Sequence, residues 1–283
     1  MFTILIVLGC FVDGLAADSV EWDIQKTLQL EAAPIDVAVA PDGKRIFVLT
    51  GGGEILIYSS AAQIEGKINV GPHVDQMKLG PRGDSLILSS RANKTVEIVT
   101  FDFIQKINVS GAPFKGGQDA PVVIAVFTDF QWPYCARLVP VLEQVLEQNS
   151  ADVRIAFKNF PLRTHKFAVK AATAALAAES YGKFWEYHDL LFRNYKRIDD
   201  KLIDDLALGL GFNKEEFEKK MADPLLLQRI RQDASEGSQA GVRGTPTIFV
   251  NGRRLRDRTL KGFQTAIDKE LQKLGKTVTK PSS

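Results

Sequence analysis

Two cysteines and three histidines in 283 residues leave little material for metal chemistry. His73, His165 and His188 stand far apart, and neither Cys10 nor Cys135 has a Cys or His neighbour at ligand spacing. That scarcity excludes the common zinc sites and favours structural or surface roles for the histidines. No pattern calls for a cofactor or a metal. One-sided charge is also missing: 36 basic against 34 acidic side chains give a net +2, too small an excess to argue for nucleic acid. What is present suits a packed protein, with 45% hydrophobic and 25% charged residues. A chain of this length is expected to form about two domains.

The only long apolar run opens the chain. FTILIVLGCFVDGLAA reads as an export signal, with an apolar core from Phe2 to Val12 and a small-x-small cleavage site at Gly14-Leu15-Ala16. It lacks the usual Lys or Arg near Met1. A rival reading is Val7-Leu8-Gly9-Cys10, which resembles a bacterial lipoprotein box; lipidation of Cys10 would then tether the protein to a membrane. A buried first strand is a third option, opposed by Asp13 and by the lack of a bounding turn. The expectation is a signal over residues 1–17 and an exported, periplasmic protein, with a lipid-anchored form as the alternative. Removal of the signal leaves Cys135 as a lone cysteine, which has no internal disulfide partner.

Residues 20–110 carry an internal repeat. IQKTLQL (24–30), IEGKINV (64–70) and IQKINV (104–109) answer one another, with Lys26, Lys67 and Lys106 at intervals of 41 and 39. VAVAPDGKRIFVL (37–49) matches MKLGPRGDSLILS (77–89), and EILIY (54–58) matches TVEIV (95–99). Each unit reads as four short antiparallel strands in about 40 residues, a period typical of β-propeller blades. The pattern resembles YVTN and NHL-type propeller repeats, in which a proline-x-glycine turn joins two strands. It predicts two blades plus one leading strand at 24–30; a plain antiparallel sandwich is the alternative. The β-repeat domain is placed at 18–110.

SGAPFKGGQDA, at about 110–120, is rich in Gly and reads as a linker, assigned to 111–120. From Pro121 strands alternate with helices. PVVIAVFTDF is a near-continuous apolar strand, as a doubly covered sheet requires. A helix to Asn149, a strand at 153–160, a helical region from about His165 to Met221 and a helix at about 224–240 follow. A strand and hairpin, GVRGTPTIFVNGRRL, and a last helix end the series. This is the layout of an α/β thioredoxin-like fold with an inserted helical domain. TDFQWPYC, KNFPLRTH, AAESYGKFWEYHDLLF and GVRGTPTIFVNGR resemble the DsbA-like thiol–disulfide oxidoreductases of bacteria, and place that domain at 121–278.

The resemblance implies a C-P-x-C active site, yet Trp132 stands where the attacking cysteine belongs. Disulfide exchange needs one thiolate to attack and a second thiol to resolve the mixed disulfide. In such folds the attacking cysteine sits at a helix N-terminus, where free N–H groups and the helix dipole stabilise the thiolate. Pro133 suits the first helical position, Trp132 becomes the N-cap and Cys135 matches the family's second cysteine. An N-cap indole accepts no N–H bond, at a cost of about 1 kcal/mol unless Gln131 or water fills in. Cys135 is then either a small buried apolar thiol or a monothiol able to form mixed disulfides. Pro140 falls inside the helix and should kink it.

By the same resemblance, Pro246 in GTPT matches the family's cis-proline. The backbone of Thr245 would then pair with an extended client by strand addition. Trp132, Pro133, Tyr134, Thr245 and Pro246 are therefore the candidate substrate-binding residues, and Cys135 the candidate catalytic one. The cluster RRLRDR (253–258) follows the hairpin signal Asn251-Gly252 and reads as a solvated face. The leading expectation is a binding module for extended or unfolded client polypeptides, with degenerate redox machinery. A monothiol oxidoreductase or isomerase working through Cys135 is the rival. Self-association through the β-repeats is expected too, because two blades cannot close a ring.

Overall fold

The computed structural model describes residues 21–276; the signal and lipidation readings lie on residues 1–20, outside the described residues. The chain forms two compact units, divided between Phe101 and Asp102.

The first unit is all-β. Strands β1 (Pro34–Val39), β2 (Arg45–Thr50), β3 (Glu54–Ser59) and β4 (Ile64–Asn69) form one antiparallel sheet in chain order. Strands β5 (Gln76–Leu79), β6 (Ser85–Ser90) and β7 (Thr95–Thr100) form a second. The repeat is visible in the backbone. Gly43 donates to Ala40 O at 2.8 Å and Gly83 donates to Gly80 O at 2.9 Å, in matching turns. Both glycines hold φ near +68°, a left-handed conformation that costs other residues about 1 kcal/mol or more. Alternation then sorts the side chains: Phe47, Leu49, Ile55 and Ile57 are buried on one face of the first sheet, and Met77, Leu86 and Leu88 on one face of the second.

Two expected strands are absent. Residues 24–30 are described but join no sheet, and 104–109 do not complete the second sheet, which has three strands rather than four. The second absence has a visible cause, because 104–109 is held within the second unit. Gln105 N donates to Gly252 O at 2.9 Å, and Ile107 and Val109 pack on Ala125, Phe127 and Phe249. Lys158 Nζ donates to Asn108 O at 2.8 Å while it pairs with Asp233 at 2.6 Å and Glu236 at 2.8 Å. A lysine so deeply buried demands such partners. The segment expected as a linker likewise contains a strand, β8 (Phe114–Gly116), paired with the edge of the second unit's sheet.

That sheet has the order β12-β11-β9-β10-β8, built from β9 (Val122–Thr128), β10 (Val153–Asn159), β11 (Thr247–Val250) and β12 (Arg253–Leu255) with β8. Strands β9 and β10 run parallel, and the other pairs are antiparallel. Strand β9 is central and covered on both faces, which explains its continuous apolar sequence. Helices α1 (Pro133–Gln148) and α7 (Leu260–Lys273) cover one face, with Leu138, Val145, Phe263 and Ile267 packed on Val122, Ile124 and Ile248. Helix α6 (Pro224–Gln239) approaches the other face at Gly237, where a Cβ would lie 2.8 Å from the Phe127 ring.

The insertion comprises α2 (Ala168–Glu179), α3 (Phe184–Arg193), a 3-10 turn (Tyr195–Arg197), α4 (Asp200–Gly209) and α5 (Lys214–Met221), before α6. Its alanine-rich start now has a reason. Ala171, Ala174, Ala175 and Ala178 are fully buried, so α2 runs through the middle of the insert, where small side chains let its neighbours approach. Tyr187, Phe212 and Phe217 fill the space around it.

Candidate functional site

The site forms where β9 runs into α1. The chain leaves the strand at Thr128, turns through Asp129–Gln131 and enters the helix at Pro133. Asp129 organises the turn. Its Oδ1 accepts from Gln131 N at 2.7 Å, and its Oδ2 accepts from Leu162 N at 2.7 Å and lies 3.0 Å from His165 Nδ1. Gln131 Oε1 in turn accepts from Phe167 N at 2.7 Å. The loop after β10 is thereby locked against the start of α1.

Trp132 is the N-cap of α1, in an extended conformation, and its side chain makes no capping hydrogen bond. Its backbone carbonyl accepts from Cys135 N at 3.0 Å and Ala136 N at 3.2 Å. The indole stacks instead, with ring centroids 5.2 Å from Tyr134 and 5.5 Å from His165. Tyr134 is 53% exposed, and the Arg137 guanidinium lies 4.2 Å from its ring centroid. The surface at the helix start is therefore aromatic and cationic, and it carries no thiol.

Cys135 points the other way and is 2% exposed. Burial pushes its thiol pKa up from the ordinary 9.0, partly offset by the Thr128 and Thr245 hydroxyls and the Asp129 backbone. The Thr245 hydroxyl lies near enough to act on the thiol yet makes no hydrogen bond of normal geometry. Thr245 precedes Pro246 across a cis peptide bond, just ahead of β11. The structure thus brings Trp132, Pro133, Tyr134 and Cys135 together at one helix start and sets Thr245 and Pro246 beside the thiol. Pro140 lies within α1.

A cavity of about 30 Å³ lies beneath the thiol, lined by Cys135, Thr128, Leu138, Phe157, His188 and Phe192. That is room for about one water. His188 is buried there, and burial lowers its pKa while Asp189 at 2.7 Å opposes the shift. Its neutral ring packs edge-on against Phe130, Phe157 and Phe192. Among the described residues no group of three or more His, Cys, Asp or Glu is placed to hold a metal.

Sequence reasoning gave His165 a structural or surface role, considered Gln131 only as a substitute cap for α1, and passed over Asp129 and Arg137; Gln131 Oε1 instead accepts from Phe167 N. His165 and Asp129 both lie within motifs that carry the family resemblance, KNFPLRTH and TDFQWPYC. Only the folded chain shows that the two motifs meet at 3.0 Å.

Residues 109–269 match the thioredoxin family, and the chain belongs to that family. Among curated proteins, "Na(+)/H(+) antiporter NhaA 3" of Salinispora tropica is 36% identical over 141 residues, covering 50% of this chain and 22% of that protein. "Na(+)/H(+) antiporter NhaA" of Herminiimonas arsenicoxydans is 29% identical over 142 residues, with the same two shares. The chain thus spans less than a quarter of the length of these two relatives.

Solved structures share the fold of the second unit. Oxidised BdbD from Bacillus subtilis superposes with a TM-score of 0.54 at 22% identity, covering 60% of this chain and 98% of that one. A thioredoxin-like oxidoreductase from Silicibacter pomeroyi gives 0.52 at 23%, covering 57% and 92%. The thiol-disulfide exchange protein alpha-DsbA2 from Wolbachia pipientis gives 0.50 at 21%, covering 56% and 86%. The second unit therefore has the DsbA-like thioredoxin fold with its helical insertion. No helix among the described residues is long and apolar enough to cross a membrane.

Proposed function

We propose that this is an exported protein of DsbA-like fold in which dithiol exchange has been lost and the peptide groove retained. It acts as a binding module for extended or unfolded client polypeptides. One observation carries the reading: the N-cap of α1, where a redox protein of this fold places its attacking thiolate, is held by Trp132. An indole supplies neither the nucleophile nor an acceptor for the helix N–H groups.

The surroundings support a binding role. Trp132, Tyr134 and Arg137 offer flat apolar and cationic surface at the helix start, and aromatic and Arg side chains are the commonest anchors in protein recognition. The Thr245–Pro246 loop would supply backbone groups for strand addition. A monothiol enzyme working through Cys135 has less support, because the thiol is buried and held protonated. Turnover assays with the natural chain and with Cys135→Ser test the redox half of the proposal. Peptide titration with and without Trp132 tests the binding half.

A further inference from the structure

The two sheets of the first unit are copies of one pattern, yet they bury opposite faces. In the first sheet, Asp36, Ala38, Phe47, Leu49, Ile55 and Ile57 share a face, as the strand registers require. In the second, Met77, Leu79, Leu86 and Leu88 share a face. These two faces turn toward each other: Asp36 Oδ2 accepts from Met77 N at 2.7 Å, and β1 lies against β5.

The sequence repeat relates the other faces. Positions 37, 39, 46 and 48 correspond to 77, 79, 86 and 88, so the outer face of the first sheet repeats the inner face of the second. Positions 47, 55 and 57 correspond to 87, 96 and 98, so the outer face of the second sheet repeats the inner face of the first. The contact inside the chain is thus head-to-tail, and one spare half of it remains at each end.

Burial follows this pattern at β1 and β7; Val48, on the outer face of the first sheet, departs from it at 3% exposed. Ile55 and Ile57 are 0% and 4% exposed, whereas their counterparts Val96 and Ile98 are 71% and 73% exposed. Met77 is buried, whereas its counterpart Val37 is open, as is Val39 beside it. Apolar patches of this kind on the described residues, matched to each other by the repeat, mark an interface.

The strand edges give a second, independent sign. Strand β4 is the outermost strand of the first sheet, and it directly precedes β5. Residues 24–30 repeat β4 and precede β1 in the same way, but they join no sheet. Among the described residues, strand β7 meanwhile has no partner on its outer edge. An unpaired edge is a template for another chain.

We infer that the occupant of the open patches at Val37 and Val39 and at Val96 and Ile98 is a second copy of this chain. The outer face of β5–β7 in one copy docks on the outer face of β1–β3 in the next, repeating the contact already made within each chain. Residues 24–30 of that next copy add to β7 as its missing fourth strand. A head-to-tail contact of this kind closes into a ring when its rotation permits. Propellers have about 4–8 blades, so two to four copies complete one. This assembly is independent of the redox and peptide-binding reading.

The test is the mass of residues 18–283 at tens of micromolar, measured by sedimentation equilibrium beside Val37→Asp and Ile98→Asp. Both substitutions sit on exposed positions and leave the fold intact. The natural chain should run at two to four times the single-chain mass, and each variant at the single-chain mass. A monomeric natural chain overturns the proposal. So does an assembly that only one of the variants disrupts, since that is the mark of a symmetric contact through a single face. The strand exchange is read separately. Ile55 faces Ile68, so Val96 should face Leu28 of the neighbouring copy. Oxidation of Leu28→Cys/Val96→Cys should link different chains, and a bridge formed within one chain would contradict the exchange.

Discussion

The backbone N–H of Cys135 donates to the carbonyl of Trp132 at 3.0 Å. The first turn of α1 is therefore closed between its N-cap residue and the buried thiol. Of the two positions, Trp132 is half-buried, packed between the core and the Tyr134 and His165 rings, and Cys135 is sealed inside.

The sealed thiol sets the first expectation. Burial raises the pKa of Cys135, so little thiolate is present at neutral pH. Alkylation by iodoacetamide should be slow in the native state at pH 7, rise only above pH 9, and become fast on unfolding. The linkage has the same sign. The folded pKa lies above the unfolded one, so the unfolded chain gives up its proton first and stability declines as pH rises past 9.0. Fast native alkylation at pH 7 would instead mark Cys135 as an active monothiol.

On the proposed reading, a cysteine at position 132 should confer exchange chemistry. The N-cap geometry of Trp132 suits a thiolate, which would accept the helix N–H groups that the indole leaves alone. Trp132→Cys should form a disulfide with Cys135, seen as the loss of both thiols on oxidation, and should gain exchange activity. The variant gives up the stacking of Trp132 on Tyr134 and His165, at a cost of about 1 kcal/mol. A folded variant whose thiols stay free would show that this helix start no longer has redox geometry.

Peptide binding should be visible at Trp132 itself. Extended apolar peptides should quench or shift its fluorescence in a chain carrying Trp22→Phe and Trp185→Phe. The second change removes a hydrogen bond from Trp185 Nε1 to Phe114 O, a loss of about 1 kcal/mol that leaves the fold standing. Affinity should be on the order of micromolar or weaker, as for small transient interfaces. Trp132→Ala should weaken binding, followed then by an extrinsic probe, and undiminished binding would place the peptide elsewhere.

Local pattern alone makes much of this fold legible. Apolar alternation locates the seven strands β1–β7, and the continuous run at 122–128 announces a doubly covered strand. The order of motifs places the helical insertion. Local likeness misleads where tertiary contact overrides it. IQKINV at 104–109 repeats β4, yet Ile107 and Val109 pack on β9 and β11 and Lys158 captures the Asn108 carbonyl. The glycine-rich stretch at 110–120 has the composition of a linker, but only three residues, Phe114–Gly116, are needed to add an edge strand. One string, TDFQWPYC, carries the site's signature, whereas its support comes from His165 and Leu162 on another. No periodicity in a single sequence reports the contact between Asp129 and His165, 36 residues apart.

The proposed loss of dithiol exchange is tested most directly by turnover. Insulin reduction by the natural chain, with dithiothreitol as electron source, should proceed at the rate of dithiothreitol alone and should be unchanged by Cys135→Ser. A rate above that background that Cys135→Ser abolishes would contradict the account and establish Cys135 as a working monothiol.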